Sequence, residues 1–168
     1  MVEYLKAKLI KALVNHFGED DRRIEHALRV TAWAEMIAEA EGGDRNVVLA
    51  VGLLHDVGIK EAEQRHGSSS AKLQEQYGPA IVRRMLEEIG LPEQTLTECA
   101  DIVGKHHTPH GVPGRNFAIL WDADMLVNLR DEISETGRER LESIIEKSFR
   151  TSTGKALAQR ELLARQAS

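Results

Sequence analysis

Apolar side chains recur along this chain with the period of an α-helix. Leu5, Leu9 and Leu13 form one stripe, and a second stripe runs from Ile24 to Ile37. No stretch alternates with the period of two that is typical of a half-buried strand. The pattern therefore predicts an all-α, single-domain helical bundle. Helices are expected near residues 2–17, 21–41, 44–57, 71–89, 92–107, 116–131, 136–150 and 154–166.

Two polar segments, punctuated by Gly or Pro, interrupt this pattern and are predicted to be loops. They run from Gly58 to Ser70 and from Thr108 to Arg115. We find no repeat, low-complexity tract or linker, so residues 1–168 are expected to form one domain. Residues 132–168 carry apolar side chains at helical spacing, which predicts a cover for the core, with a homodimer interface as the alternative.

Composition narrows the class of protein. The chain has 168 residues, with 22 basic and 27 acidic side chains and a net charge of −5. No basic cluster suits a phosphate backbone, which argues against long nucleic acid as a partner. The single cysteine excludes an intramolecular disulfide. The first residues do not resemble a signal peptide, and no apolar run is long enough to span a membrane. We therefore expect a soluble, cytoplasmic protein with no membrane partner.

The candidate chemistry centres on one histidine-aspartate doublet. His55 and Asp56 end the apolar run Val47 to Leu54, with His26 upstream and Asp124 far downstream. Imidazole nitrogen and carboxylate oxygen together suit first-row divalent metals, which activate water. Because the four residues are distant in sequence, only tertiary packing brings them together. Taken alone, the doublet is equally consistent with a solvated helix end. A lone His26 at its position is more typical of the edge of a core than of a metal site.

The predicted helix 116–131 is apolar on nearly every side, which is typical of a core helix. Asp122 and Asp124 interrupt it and lie about 200° apart around the axis, so they do not face one small site together. Asp124 shares its stripe with Phe117 and Val127. A carboxylate among such neighbours requires a metal or an ion pair.

A second doublet, His106-His107, ends the predicted helix that begins at Pro92. A cationic histidine at a helix C-terminus is favourable by itself, which accounts for one member of the pair. Two adjacent imidazoles exceed what the helix dipole requires. We therefore expect at least one of them to line the metal cleft.

His26, the His55-Asp56 doublet and Asp124 together resemble the signature of the HD-domain superfamily of metal-dependent phosphohydrolases. This all-helical fold is named for its His-Asp doublet. The sequences HALRV at His26 and LLHDVG at His55-Asp56 are similar to the family in their surroundings. The resemblance covers about residues 20–130 and implies Asp124 as the fourth ligand.

The resemblance implies hydrolysis of a phosphate ester on a small molecule, with a nucleotide expected. On this resemblance, a metal held by Asp56 and its partners would activate the attacking water, and Arg29 or Lys60 would meet the charge that develops. Two histidines and two carboxylates leave open positions on an octahedral ion. This suits Mn²⁺, Fe²⁺, Mg²⁺ or Co²⁺ better than a closed tetrahedral Zn²⁺ site.

The number of ions, one or two per chain, stays open at this point. Some members of the superfamily hold two metals through additional histidines, and His66, His106 and His107 are the candidates here. The sequence departs from those members in two ways. Tyr77 stands where many carry a histidine, and Lys60 lies one place later than the lysine that often follows the doublet.

Two alternative functions follow from the same resemblance. One is a dinuclear iron enzyme that cleaves dinucleoside polyphosphates or performs oxygen chemistry. The other is a non-catalytic module that senses a nucleotide. The intact set of four ligands argues against the sensing module, which has no need to keep every ligand type.

Overall fold

The computed structural model describes residues 2–164 of the chain, with side chains from residue 4 onward. Within this part the protein contains no β-strand, which confirms the all-α prediction. None of its helices is both long and apolar enough to cross a membrane. The helices are α1 (Val2–Phe17), α2 (Asp21–Glu41), α3 (Arg45–Leu54), α4 (Gly58–His66), α5 (Ala71–Ile89), α6 (Glu93–Val103), α7 (Arg115–Asp131), α8 (Arg138–Ser148) and α9 (Ser152–Ala158), and a π-helical turn follows (Gln159–Leu163).

Helix α3 lies at the centre of the bundle. Every residue from Val47 to Leu54 is buried, and α1, α2, α6 and α7 pack around the helix. Asp44 caps its N-terminus by accepting from the backbone N–H groups of Asn46 and Val47. A helix that is apolar on all sides is stable only when surrounded by other elements. The core therefore fixes the position of the His-Asp doublet that follows Leu54.

The loop predicted to begin at Gly58 is wrong over most of its length, because helix α4 occupies it. This helix buries only Gly58, Ile59 and Ala62, too few positions to show a helical period in the sequence. Gly58 packs so closely on α5 that an added Cβ would lie 2.6 Å from the carbonyl oxygen of Gln74 and 2.8 Å from the nitrogen of Gly78. The glycine that suggested a loop instead permits close packing of two helices.

The C-terminal region packs on α7 and α2 through α9. Asp122 joins it to α7: this fully buried carboxylate accepts from the backbone N–H of Arg150 and from the N–H and hydroxyl of Thr151, at 2.7–2.8 Å. Thr151 in turn accepts from the N–H of Gly154 and caps α9. The two acidic residues of α7 thus have separate surroundings, since Asp124 faces the opposite side of the helix.

Candidate metal centre

The four predicted ligands meet at the C-terminal end of α3. His26 comes from α2, His55 and Asp56 follow α3, and Asp124 comes from α7. His26 Nε2 lies 3.0 Å from Asp124 Oδ1. His55 Nε2 lies 3.4 Å from Asp56 Oδ2 and 3.5 Å from Asp124 Oδ1. The fold thus assembles residues from three helices into a single constellation.

The second histidine doublet joins the same constellation from the turn after α6. His106 Nε2 lies 3.4 Å from Asp56 Oδ1, the oxygen that does not face His55. The possible ligand atoms form two groups, and the atoms of each group lie within 4.8 Å of one another. We call them the first cluster (His26, His55 and Asp124) and the second cluster (Asp56, His106 and His107). The two oxygens of Asp56 face different clusters.

Backbone carbonyls orient two of the imidazoles. His55 Nδ1 donates to the carbonyl of Gly52 at 3.0 Å, and His106 Nδ1 donates to that of Val103 at 2.7 Å. In the neutral form of each ring, Nε2 therefore carries the lone pair. Both side chains are buried, and neither Nε2 atom has a hydrogen-bond partner. A lone pair that faces carboxylate oxygens is repelled unless a cation lies between them, so a divalent ion fits this arrangement.

The pKa values of His55, Asp56 and Asp124 also indicate that the site favours positive charge. Burial lowers the pKa of His55, but the carboxylates of Asp56 and Asp124 outweigh burial and hold it well above its ordinary value. Burial raises the pKa of Asp56, but His55 and His106 outweigh that effect and hold it well below the ordinary value. Burial likewise opposes the lowering of the Asp124 pKa by His26 and His55. Without a metal, protonated imidazole supplies the positive charge that the carboxylates require.

This charge balance predicts that the metal-free protein loses stability as the pH rises above 6.5, the ordinary pKa of histidine. Since the folded-state pKa of His55 is raised, its contribution is complete below 6.5 and is lost as the pH climbs through the raised value. His16 and His107, whose pKa values burial lowers, titrate below this window. Thermal midpoints measured from pH 6 to 9 in chelator should fall, and added Mn²⁺ should remove the trend. Identical profiles with and without Mn²⁺ would contradict this account.

The clusters open into a cleft of about 590 Å³. Arg29 lies on its rim, where the guanidinium pairs with Asp131 at 2.9 Å. Arg23 lies on the same rim and pairs with Asp20 and Glu63. The rim is thus a set of ion pairs above a carboxylate-rich floor.

Two of the predicted site residues lie elsewhere. Lys60, on α4, donates to the carbonyl of His16 at 3.0 Å and does not line the cleft. His66 ends α4, contacts the hydroxyl of Tyr77 at 2.7 Å and belongs to neither cluster. Lys60 and His66 are therefore not among the groups that the fold brings together.

Two further residues near the second cluster, Gln74 and Glu75 of α5, are not predicted from the sequence. The Gln74 carboxamide lines the cleft and contacts His107. The Glu75 carboxylate accepts from the backbone N–H of His107 and the hydroxyl of Thr108. Both lie one turn or less before Tyr77, the position singled out in the sequence, but neither residue type marks a metal site on its own.

Comparison with known proteins places this architecture in a family. The HD domain family model matches residues 23–165. Ribonuclease Y from Sulfurovum sp. (strain NBC37-1) is 27% identical over 140 residues, which cover 80% of this chain and 27% of the relative. Ribonuclease Y from Campylobacter hominis is 30% identical over 118 residues, which cover 67% of this chain and 23% of the relative. The chain thus spans about a quarter of the length of these curated relatives.

A solved structure agrees with the family match. The crystal structure of a predicted HD superfamily hydrolase from an uncultured Thermotogales bacterium is similar to this chain with a TM-score of 0.70 and 23% sequence identity. The similarity covers 96% of this chain and 86% of the other, so the two proteins share a fold over nearly their full lengths. The family match includes His26, the His55-Asp56 doublet and Asp124, together with most of the C-terminal helices. This chain belongs to the HD domain family.

Proposed function

We propose that the protein is a metal-dependent phosphohydrolase that acts on a small phosphate ester, with a nucleotide as the expected substrate. One observation carries the proposal. The buried Nε2 atoms of His55 and His106 have no hydrogen-bond partner, and each lies within 3.5 Å of a carboxylate oxygen. Buried polar atoms without partners are rare, and here a divalent cation at each cluster would satisfy them.

The donor set supports an open octahedral ion at each cluster. His26, His55 and Asp124 would hold one ion, His106 and His107 would contribute to the other, and Asp56, whose two oxygens face different clusters, would contribute to both. Bound divalent ions acidify water and stabilise charge on a phosphoryl group. The mixture of imidazole and carboxylate donors favours Mn²⁺, Fe²⁺, Mg²⁺ or Co²⁺. The protein's part is to hold these donors rigidly, which the carbonyl-anchored imidazoles and the buried α3 accomplish.

The charge of the cleft supports an anionic substrate that enters with metal. Six carboxylate side chains and three arginines line the cleft, so a phosphate meets net repulsion until divalent ions offset it. Arg29 is placed to contact a bound phosphate by exchanging its partner Asp131 for the substrate. The cleft volume lies within the range of small-molecule sites and accommodates a nucleotide.

A phosphodiester of RNA is the second candidate substrate, because the curated relatives carry the name ribonuclease Y. The reaction would require the same ions and the same attack on phosphorus. The paired charges on the rim and the net charge of −5 favour the smaller substrate. Initial rates on nucleoside monophosphates, measured beside rates on dinucleotides and short RNA, distinguish the two.

Phosphate binding is expected to depend on metal. Titration calorimetry with inorganic phosphate should show no binding to chelator-treated protein and clear binding after loading with Mn²⁺, since the ions offset the carboxylates of the floor. Phosphate binding to the metal-free protein, or none to the loaded protein, would contradict the proposal.

The contribution of Arg29 to phosphate binding can be compared with that of an arginine outside the cleft. Arg29→Gln should weaken phosphate binding to the Mn²⁺-loaded protein by about five- to tenfold, the loss of one charge-assisted contact. Arg45→Gln, an exposed change at the start of α3, should leave it unchanged. Equal affinities in the two variants would remove Arg29 from the proposed site.

A further inference from the structure

Gln74 lies beside the second cluster, and its polar side chain is buried. Only 9% of its surface is exposed, and it lines the cleft from α5. Its Oε1 atom lies 2.8 Å from Nε2 of His107. His107 belongs to the second cluster with Asp56 and His106, so the carboxamide adjoins a group of candidate ligands.

A second contact determines which end of the carboxamide faces the cluster. Gln74 Nε2 donates to the backbone carbonyl of Ser69 at 2.7 Å. Only the nitrogen of an amide donates, so the oxygen is the end that faces His107. The structure therefore presents a fixed carbonyl oxygen, with lone pairs, to the second cluster.

The spacing of this pair is that of a hydrogen bond and is also close to that of neighbouring ligands on one ion. Two ligands at right angles around an octahedral ion, each about 2.1 Å from it, are about 3 Å apart. In the first cluster, His26 Nε2 and Asp124 Oδ1 are 3.0 Å apart. The 2.8 Å between Gln74 and His107 repeats that spacing in the second cluster. Neutral imidazole has two tautomers, so His107 can carry its proton on Nδ1 and present Nε2 to an ion.

We propose that Gln74 is a ligand of the second ion, through Oε1, beside Asp56, His106 and His107. This inference rests on the proposed function, in which both clusters hold metal. An amide oxygen is a hard, neutral donor, so the second position should favour Mn²⁺ or Mg²⁺ over softer ions such as Zn²⁺. We therefore expect the two positions to differ in ion preference, because the first cluster consists of two imidazoles and one carboxylate.

Equilibrium dialysis against Mn²⁺ tests the assignment directly. The unchanged protein should bind about two ions per chain. Gln74→Leu should weaken the second binding event by about tenfold or more and leave the first unchanged. Gln76→Leu is the matched control: Gln76 lies on the exposed side of α5, so both events should persist.

Spectroscopy separates a ligand from a residue that only orients His107. Gln74→His replaces an oxygen donor by nitrogen, so the visible absorption of the second Co²⁺ equivalent should change while that of the first does not. If Gln74 acts only through its hydrogen bond, the spectrum of the second equivalent stays as in the unchanged protein. Circular dichroism checks that each variant is folded, and Gln74→His, which keeps a polar side chain there, decides the question if Gln74→Leu fails to fold.

Each outcome identifies what has failed. Two ions bound to Gln74→Leu with unchanged affinities would overturn the role of Gln74 and leave the proposed function intact. One ion bound to the unchanged protein would overturn the inference and leave a mononuclear phosphohydrolase. No ion bound to the unchanged protein would overturn the proposed function itself.

Discussion

Asp56→Ala is expected to remove metal binding at both clusters and to lower phosphohydrolase activity by several orders of magnitude. The two oxygens of Asp56 face different clusters, Oδ2 toward His55 at 3.4 Å and Oδ1 toward His106 at 3.4 Å. Each oxygen of Asp56 thus lies near a histidine of a different group. Its removal therefore deprives both ions of a charged donor.

Metal content after dialysis and the rate of phosphate release measure this effect together. Helical circular dichroism should change little, because α3 is buried by apolar contacts that the substitution leaves in place. Asp101→Ala, an exposed aspartate on α6, is the matched control and should retain both metal and activity. Undiminished metal content in Asp56→Ala would remove the basis of the mechanism.

The second large effect separates the two acidic residues of α7. Asp124→Asn should lose metal from the first cluster and lower activity by orders of magnitude, because it replaces a charged candidate ligand 3.0 Å from His26. Asp122→Asn should retain metal. Its amide group would face the donors of Arg150 and Thr151, and the free energy of unfolding should fall by about 1–3 kcal/mol.

Urea unfolding and metal content, measured on both variants, give this comparison, in which each variant is the control for the other. Asp124→Asn should impair metal binding more than stability, and Asp122→Asn should do the reverse. A loss of metal in Asp122→Asn with full retention in Asp124→Asn would mean that the cleft faces the other side of α7.

The sequence predicts the fold well where burial is extensive. The long apolar stripes of α1 and α2 and the continuous apolar run of α3 are compatible with few structures other than helices. The structure contains all three helices. Helix α4 escapes prediction because its buried surface is small and its first residue is a glycine selected by contact with α5. A short helix of this kind depends on a neighbour that is distant in sequence.

The residues of the candidate site are likewise predicted only in part from the sequence. His26, the His55-Asp56 doublet and Asp124 are expected together because residue type and family resemblance both mark them. Gln74 is not predicted from the sequence, since glutamine occurs at any surface position and only its contacts with His107 and Ser69 suggest the role that we propose.

Lys60 shows the opposite failure. Its closeness to the doublet in sequence suggested a phosphate contact, but α4 turns its ammonium group toward the carbonyl of His16. The direction of the Lys60 side chain depends on how α4 packs against α5, which the sequence around the doublet does not reveal.

Anomalous diffraction from crystals grown with Mn²⁺ tests most directly whether the cleft binds divalent metal. We expect an anomalous peak within coordination distance of Nε2 of His55 and of the carboxylates of Asp56 and Asp124, with a second peak beside Nε2 of His106. Crystals with Mn²⁺ in the solvent but no peak in the cleft, and water within hydrogen-bond distance of both buried nitrogens, would contradict it.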